Sequence, residues 1–418
     1  MYLQVEEHYY TINKAFLKAL GIWPVDKSYL NLLQQVLIFI LTITYIGMQV
    51  AAFITTKIDI NLFVKIMSTT LPYVIVEVIY CSFIFKSETL MQMHRRIQED
   101  WEILHSKAEN EIMLKHIQKS LTYDIILFLL SGFIIFIGIV IQFYPIILDV
   151  ISPLDKPRIH KLIISAEYFT SENKYFYTKV LHEFVIIVTF VSILLSTGTQ
   201  LLTFTHHCLG LFKIASYRLH HSIEDSMLRM SNLEWEHAFC KKITHAVIAH
   251  RKAMEFADFM VASFNISYCI LTIIAVISLS FNIYQFIDAI KVSNNIADIL
   301  LSFFISLFHL IYMLMANYLG EMISDYHREI FTSSYDISWY VIPISSRKLL
   351  LFLMQKASKD FHFMIGYIFV AKIQNFVTVS NAENTRQLDR DVHEIDVHVF
   401  QLANTALSYV TVMYSVQR

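Results

Sequence analysis

Tyr335-Asp336-Ile337-Ser338-Trp339-Tyr340-Val341-Ile342-Pro343-Ile344-Ser345-Ser346-Arg347-Lys348-Leu349 opens the stretch on which the reading of this chain turns. From Ser345 to Phe363, Leu349, Phe352, Leu353, Lys356 and Phe363 alternate with Arg347, Lys348, Lys359 and Asp360. That period predicts a helix with one apolar face and one wet face. The chain then turns apolar (Met364 to Val370), passes a charged interruption and reaches Phe400–Val416, which holds no charged residue. Met364–Val370 is too short to cross a bilayer and is expected to end a long helix leading into the terminal span. An amphipathic solvent-side helix followed by a final membrane span defines the plan.

Working outward, the composition agrees. Of 418 residues, 56% are hydrophobic and 16% charged, where a soluble chain carries about a quarter charged. Apolar runs longer than about 18 residues recur, the signature of membrane spans. The expected fold is an all-α polytopic membrane protein with seven transmembrane helices. The spans are Leu32–Phe53, Ile66–Phe85, Ile125–Tyr144, Phe184–Phe204, Val261–Ile283, Ile299–Leu319 and Phe400–Val416. Each must be helical, because lipid offers no partner to free backbone groups. Residues 1–31 form a cytosolic N-terminal segment, 32–319 the first six spans with cytosolic extensions at 86–121 and 205–260, and 320–370 an anchor-helix region. Residues 371–399 form a charged outer loop and 400–418 the terminal helix.

With 33 basic and 35 acidic residues, nothing points to nucleic acid. Met1–Lys18 mixes Glu6, Glu7, Lys14 and Lys18 and has no uninterrupted apolar core, so no cleaved signal peptide is expected. Cys81 and Cys269 fall in spans and Cys208 and Cys240 in one inner loop, which makes no disulfide framework. Orientation follows from the basic residues: 21 Lys and Arg sit in the N-terminal segment and the second, fourth and sixth loops, 11 in the alternate segments. Positive charge stays inside, so the N-terminus is cytosolic. A G-protein-coupled receptor has the opposite orientation.

Two inner loops are strongly patterned. Glu88–Lys119 carries Leu90, Met93, Ile97, Trp101, Leu104 and Ala108 at helical spacing. Leu211–Met254 does the same through Leu219, Ile223, Leu233, Phe239, Ile243, Val247 and Met254. These faces need partners, either each other and a neighbouring subunit or the lipid surface.

Enzyme signatures fail on inspection. His182-Glu183 begins like a zinc-protease motif, but position 186 is Ile; His393-Glu394 has its next histidine one residue too far along. No catalytic residue, metal ligand or cofactor is assigned. Intramembrane polar groups say more. Glu77 in the second span is costly in lipid and must face a cavity or a partner. Lys65 is expected to snorkel to the outer interface, and His309 to hydrogen-bond within the bundle. In the last span Gln401, Asn404, Thr405, Ser408 and Thr411 form one polar stripe. A water-filled lumen explains it, as does packing through small polar residues.

Tyr335, Trp339-Tyr340, Pro343, Arg347-Lys348, Met354-Gln355-Lys356 and Ser408-Tyr409 resemble the C-terminal signature of insect odorant receptors. Leu20-Gly21-Ile22-Trp23-Pro24 resembles the N-terminal motif common in hymenopteran members. The resemblance implies a tuning subunit of a ligand-gated cation channel in the plasma membrane of olfactory neuron dendrites. Its partner would be a common co-receptor, in a tetramer, and its ligand a small volatile organic molecule. The ligand pocket is implied in the outer bundle, where Met67, Tyr73, Ile139, Gln142, Phe143, Phe190, Tyr284, Phe303 and Phe304 lie; taken singly, such residues also make ordinary core. The terminal helix is implied to line the pore through Gln401, Asn404, Thr405, Ser408 and Thr411. The charged run between Val379 and Val399 departs from the family, as an enlarged outer loop or retained gene-model sequence. The co-receptor itself is disfavoured by the short loop Thr205–Val261. The nearest alternative is a gustatory receptor, whose members end in a different motif. A transporter would show inverted repeats or paired broken helices, and neither is found.

Overall fold

Helix is the one way an unbroken apolar segment can satisfy its backbone in lipid, and the chain folds accordingly. The computed structural model describes residues 11–24, 28–55, 60–104, 106–152, 162–164, 166–169, 175–223, 232–293, 296–337, 339–340, 342, 344–359, 361, 364–365 and 369–370. Its helices are α1 (Thr11–Ala19), α2 (Tyr29–Thr55), α3 (Ile60–Phe85), α4 (Ser87–Ile103), α5 (Lys107–Ile151), α6 (Phe176–His220), α7 (Asn232–Asp288), α8 (Ile296–Tyr335) and α9 (Ile344–Ala357). A π-helical turn, Ala289–Ser293, follows α7. Among the described residues six helices (α2, α3, α5, α6, α7 and α8) are long and apolar enough to cross a membrane. The chain is a multi-pass membrane protein. The expected seventh span, its stripe from Gln401 to Thr411 and the charged segment 371–399 lie outside the described residues.

Helices α5 to α8 have 45, 45, 57 and 40 residues. At 1.5 Å per residue they run about 60–85 Å, against about 30 Å of hydrocarbon. Each must project beyond the bilayer. The projecting ends gather with α1, α4 and α9 into a base of their own. Its core joins Leu90, Met93, Ile97 and Trp101 of α4 to Phe212 and Leu219 of α6, Phe239 and Ile243 of α7, Ile330 of α8, and Leu350 and Leu353 of α9. Full burial of each such side chain contributes about 1.5–3 kcal/mol. The patterned faces of 86–121 and 205–260 thus bury one another within a single chain.

Ion pairs staple the base. Arg218 holds Glu109 through two bonds of 2.6 and 3.0 Å, and Lys213 holds Glu329 at 2.5 Å. Asp100 of α4 accepts from Lys252 of α7 at 2.6 Å and meets His207 Nε2 of α6 at 3.2 Å. Burial alone would raise the Asp100 pKa, but these two partners outweigh it and hold the carboxyl below its usual range. His116 and His250 are buried here; desolvation, with nearby histidines and lysines, pushes them down to about 3 and about 4. The His250 ring stacks on that of His327, centroids 5.2 Å apart.

The N-terminal motif acquires a physical account. Gly21 has φ +69°, and a Cβ there would lie 2.8 Å from the Asn31 carbonyl oxygen, so a side chain is excluded twice over. The turn is locked by Tyr80 Oη donating to the Leu20 carbonyl at 2.9 Å and Gln35 Nε2 to that of Gly21 at 2.6 Å. Trp23 is buried, with the His94 ring 4.9 Å away and Lys14 Nζ 5.3 Å from its centroid.

Four expectations change. Glu88–Lys119 is two helices, because Leu104 (ψ 112°) and Ser106 (ψ 135°) are extended. The Ser106-x-x-Glu109 spacing suits a capping box, but Glu109 is taken by Arg218. Helix α9 ends at Ala357, short of Phe363, and buries Leu350, Leu353 and Ala357 while Phe352 is 63% exposed. Both apolar ladders have helical spacing; contact with α7 and α8 selected one. Instead of extending a helix, Met364–Ile365 pairs antiparallel with Phe369–Val370. Lys65, finally, does not stand alone: it is bonded to Asp298 of α8 at 2.9 and 3.1 Å.

Candidate functional site

Helix α5 packs chiefly on α6, and its other apolar faces stand away from the bundle. Between it and α3, α6, α7 and α8 lies a cavity of ≈870 Å³. Its walls are overwhelmingly apolar: Ile75, Val76 and Ile79 of α3, Ile134 and Ile137 of α5, Ile187 and Leu194 of α6, Leu301 and Phe308 of α8. Pro72 lies inside α3 and on this wall; lacking an N–H, it removes one i→i−4 bond of the helix there. Gly138 and Gly198 also line the cavity, and a Cβ at either would meet nothing within 4 Å. The space continues toward the base past Thr205, Met260, Tyr312 and Asn317.

The end away from the base, the rim, is covered by the connection between α5 and α6. Ile163 and Ile164 of that segment line the cavity. Their backbone N–H groups donate to Gln142 Oε1 of α5 at 3.1 Å and Glu183 Oε1 of α6 at 2.9 Å. Glu167 N donates to the Met48 carbonyl at 3.0 Å, and Thr55 Oγ1 to Glu167 Oε2 at 3.1 Å. Tyr168 Oη pairs with His182 Nδ1 at 3.1 Å. Aromatic contacts continue inward: Tyr45 sits 5.8 Å from His182 and 5.2 Å from Tyr73, and Tyr73 sits 4.9 Å from Phe190.

Of the nine residues expected at a pocket, the structure brings Tyr73, Ile139, Gln142, Phe143, Phe190 and Phe304 to this one cavity. Met67, Tyr284 and Phe303 are not among its lining residues. Tyr284 is buried beside Val64 in a small cluster of its own. Phe303 faces outward, its ring 6.0 Å from Phe286 and 5.6 Å from Phe304, and Met67 is half-buried on another face of α3. Glu77 is a structural bond: Thr42 Oγ1 of α2 donates to its Oε2 at 2.6 Å.

Glu183 and His309 line the cavity too and were not anticipated there. His309 Nδ1 bonds the Ile305 carbonyl at 2.8 Å, as a bundle histidine should. Glu183 belonged to the discarded His182-Glu183 motif, one residue outside the expected span. The usable signal was a carboxylate bordering a long apolar run. Among the described residues no group of His, Cys, Asp and Glu is placed to hold a metal ion. The arrangement has the size and apolar lining of a small-molecule pocket.

Long helices that leave the bilayer to form a shared base, around a large apolar cavity, define a helical membrane protein with room for a small molecule. The sequence profile of the 7tm Odorant receptor family matches residues 59–382, and the chain belongs to that family. Its fold is similar to that of the insect olfactory receptor OR5 from Machilis hrabei in complex with eugenol, at TM-score 0.71 and 13% identity over 98% of this chain and 99% of that one. OR5 in a second structure gives TM-score 0.68 and 12% identity, covering 99% of both chains. No curated protein sequence matches.

Proposed function

We propose that this odorant receptor is the ligand-binding tuning subunit of an odorant-gated cation channel, working with a common co-receptor in the plasma membrane of olfactory neuron dendrites. The observation that carries the reading is the cavity of ≈870 Å³. It is several times the roughly 150 Å³ that accepts a benzene, and it suits a volatile molecule of ten to twenty heavy atoms, by the family's chemistry and the ordinary size of ligand pockets. The receptor of similar fold in complex with eugenol supports a small odorant molecule as the ligand.

In this reading the base is cytosolic, in line with the excess of Lys and Arg at that end. A ligand acts by binding the open conformation more tightly than the closed one. The walls of the cavity belong to α3, α5, α6, α7 and α8, and α6, α7 and α8 run unbroken from wall to base. A change in cavity shape therefore reaches the base through rigid elements. The terminal segment, with Gln401, Asn404, Thr405, Ser408 and Thr411, is assigned to the pore.

Expression alone and with the co-receptor, under voltage clamp, tests the reading. Co-expression should give a non-selective cation current to some members of a volatile panel, with little current from the chain alone. No current to any volatile despite delivery to the cell surface would refute it.

A further inference from the structure

We propose that Glu183 makes the cavity selective for a protonated amine carried on a small apolar tail, an inference that rests on the ligand-binding reading above and names its ligand class. Glu183 is 3% exposed and belongs to the cavity wall. Among the described residues its carboxylate has one hydrogen-bond partner, the Ile164 N–H, which takes Oε1 at 2.9 Å. Among the described residues no ion pair reaches it. Lys179, one turn earlier on α6, is turned onto the Tyr168 ring, Nζ 5.6 Å from the centroid.

A carboxylate in such a place is costly. Burying a charge away from water is tolerated when a counter-charge and further hydrogen bonds compensate it. Here the described residues supply one donor, the Ile164 N–H to Oε1. The phenols of Tyr45, Tyr73 and Tyr168 are close enough to act on it electrostatically, and none of them is a cation. Among the described residues none supplies the counter-charge, and a cation in the cavity would. An ammonium group supplies a positive charge and up to three donors. Tyr73, which acts on Glu183 electrostatically, and Phe190 and Tyr177 elsewhere on the cavity wall offer ring faces that attract a cation. The remaining walls are hydrocarbon and take the tail. Neutral molecules of the same length enter the same space and leave the carboxylate uncompensated.

The rim gives this carboxylate a second consequence. Glu183 Oε1 holds the backbone of the segment that covers the cavity, so one side chain both closes the rim and reads the ligand's polar end. Glu183→Gln separates the two roles. The amide oxygen still accepts the Ile164 N–H, while the charge is gone.

Heptylamine, heptan-1-ol and heptan-2-one are the probes, applied at pH 7.4 to cells co-expressing the co-receptor. Wild type should respond to heptylamine at concentrations at least tenfold below heptan-1-ol, and Glu183→Gln should shrink that ratio at least tenfold. Purified protein in detergent provides a readout independent of gating: heptylamine should raise the melting temperature of wild type and not of Glu183→Gln. An unchanged amine-to-alcohol ratio in Glu183→Gln would overturn the proposal. So would an equal loss for all three probes with a lowered melting temperature, which would make Glu183 a structural latch. Current to neutral volatiles with no amine preference and no amine stabilisation sinks this inference and leaves the receptor reading intact. Amine stabilisation lost in Glu183→Gln, with no evoked current in any cell, sinks the channel reading and leaves this inference standing.

Discussion

Filling the cavity from its own glycines separates binding from stability, because the two should move in opposite directions. Gly138 of α5 and Gly198 of α6 line the space, and a Cβ at either meets nothing within 4 Å. Gly138→Phe and Gly198→Phe would each send a ring toward the void from a position where the Cβ has clear space. A benzene-sized group needs about 150 Å³. Two rings therefore remove about 300 Å³, roughly a third of the ≈870 Å³ available. A long ligand that loses contact for two methylenes forfeits about 1.6 kcal/mol, or roughly fifteenfold in half-maximal concentration. A benzene-sized ligand should lose far less, since ample volume remains. Stability should hold or rise: replacing a mid-helix glycine gains about 0.5 kcal/mol per site, and the rings bury apolar surface. The assays are dose–response currents for a homologous ligand series and a melting curve in detergent. Equal losses for short and long ligands would refute the reasoning. A melting temperature lowered by several degrees would too, because it would mean the space is not there.

Three further tests address the rest of the molecule. Removing the Asp100 carboxylate (Asp100→Ala) strands His207 and leaves Lys252, whose side chain is 32% exposed, free to swing to water; stability should fall by about 2–3 kcal/mol, the low end for a buried pair. Asp100→Asn should cost less, and equal melting temperatures for the two variants would contradict the hub. His116 and His250 are neutral bases when folded, at about 3 and about 4, against about 6.5 unfolded. The unfolded chain therefore binds more protons, and stability drains away as pH falls from about 6.5 toward 4. At pH 5.5 that is about 1.4 kcal/mol for each, and the melting curve should flatten when both are replaced by Gln. An epitope placed after Arg418 should bind antibody on intact cells; staining only after permeabilisation would reverse the orientation.

Membrane class, helical fold and the approximate positions of the first six spans were legible in the residues themselves. The reason is that lipid leaves one solution for an apolar run of about 20 residues. The family was legible in motif residues such as Trp339-Tyr340 and Arg347-Lys348, which fall within the matched residues 59–382; Leu20–Pro24 encodes a local necessity, a positive φ at Gly21 wedged against Asn31. The inner faces of α4 and α7 were legible as well: Leu90, Met93, Ile97, Phe239 and Ile243 repeat with helical period and are buried.

Tertiary packing alone decided the rest. Apolar membrane helices carry little asymmetry, so nothing along α3, α7 or α8 told Tyr73 and Phe304, which line the cavity, from Tyr284 and Phe303, which do not. On α9 two apolar ladders of equal spacing competed, and contact with α7 and α8 chose Leu350 and Leu353 over Phe352. Lys65 read as a lone cation until the fold brought Asp298, more than two hundred residues away, within 2.9 Å. Glu183 read as half of a failed motif until the α5–α6 connection folded over the rim and left one carboxylate facing an apolar void. Helical periodicity is local and can be read from a chain, whereas which face meets which partner is a long-range choice, made only when the helices pack.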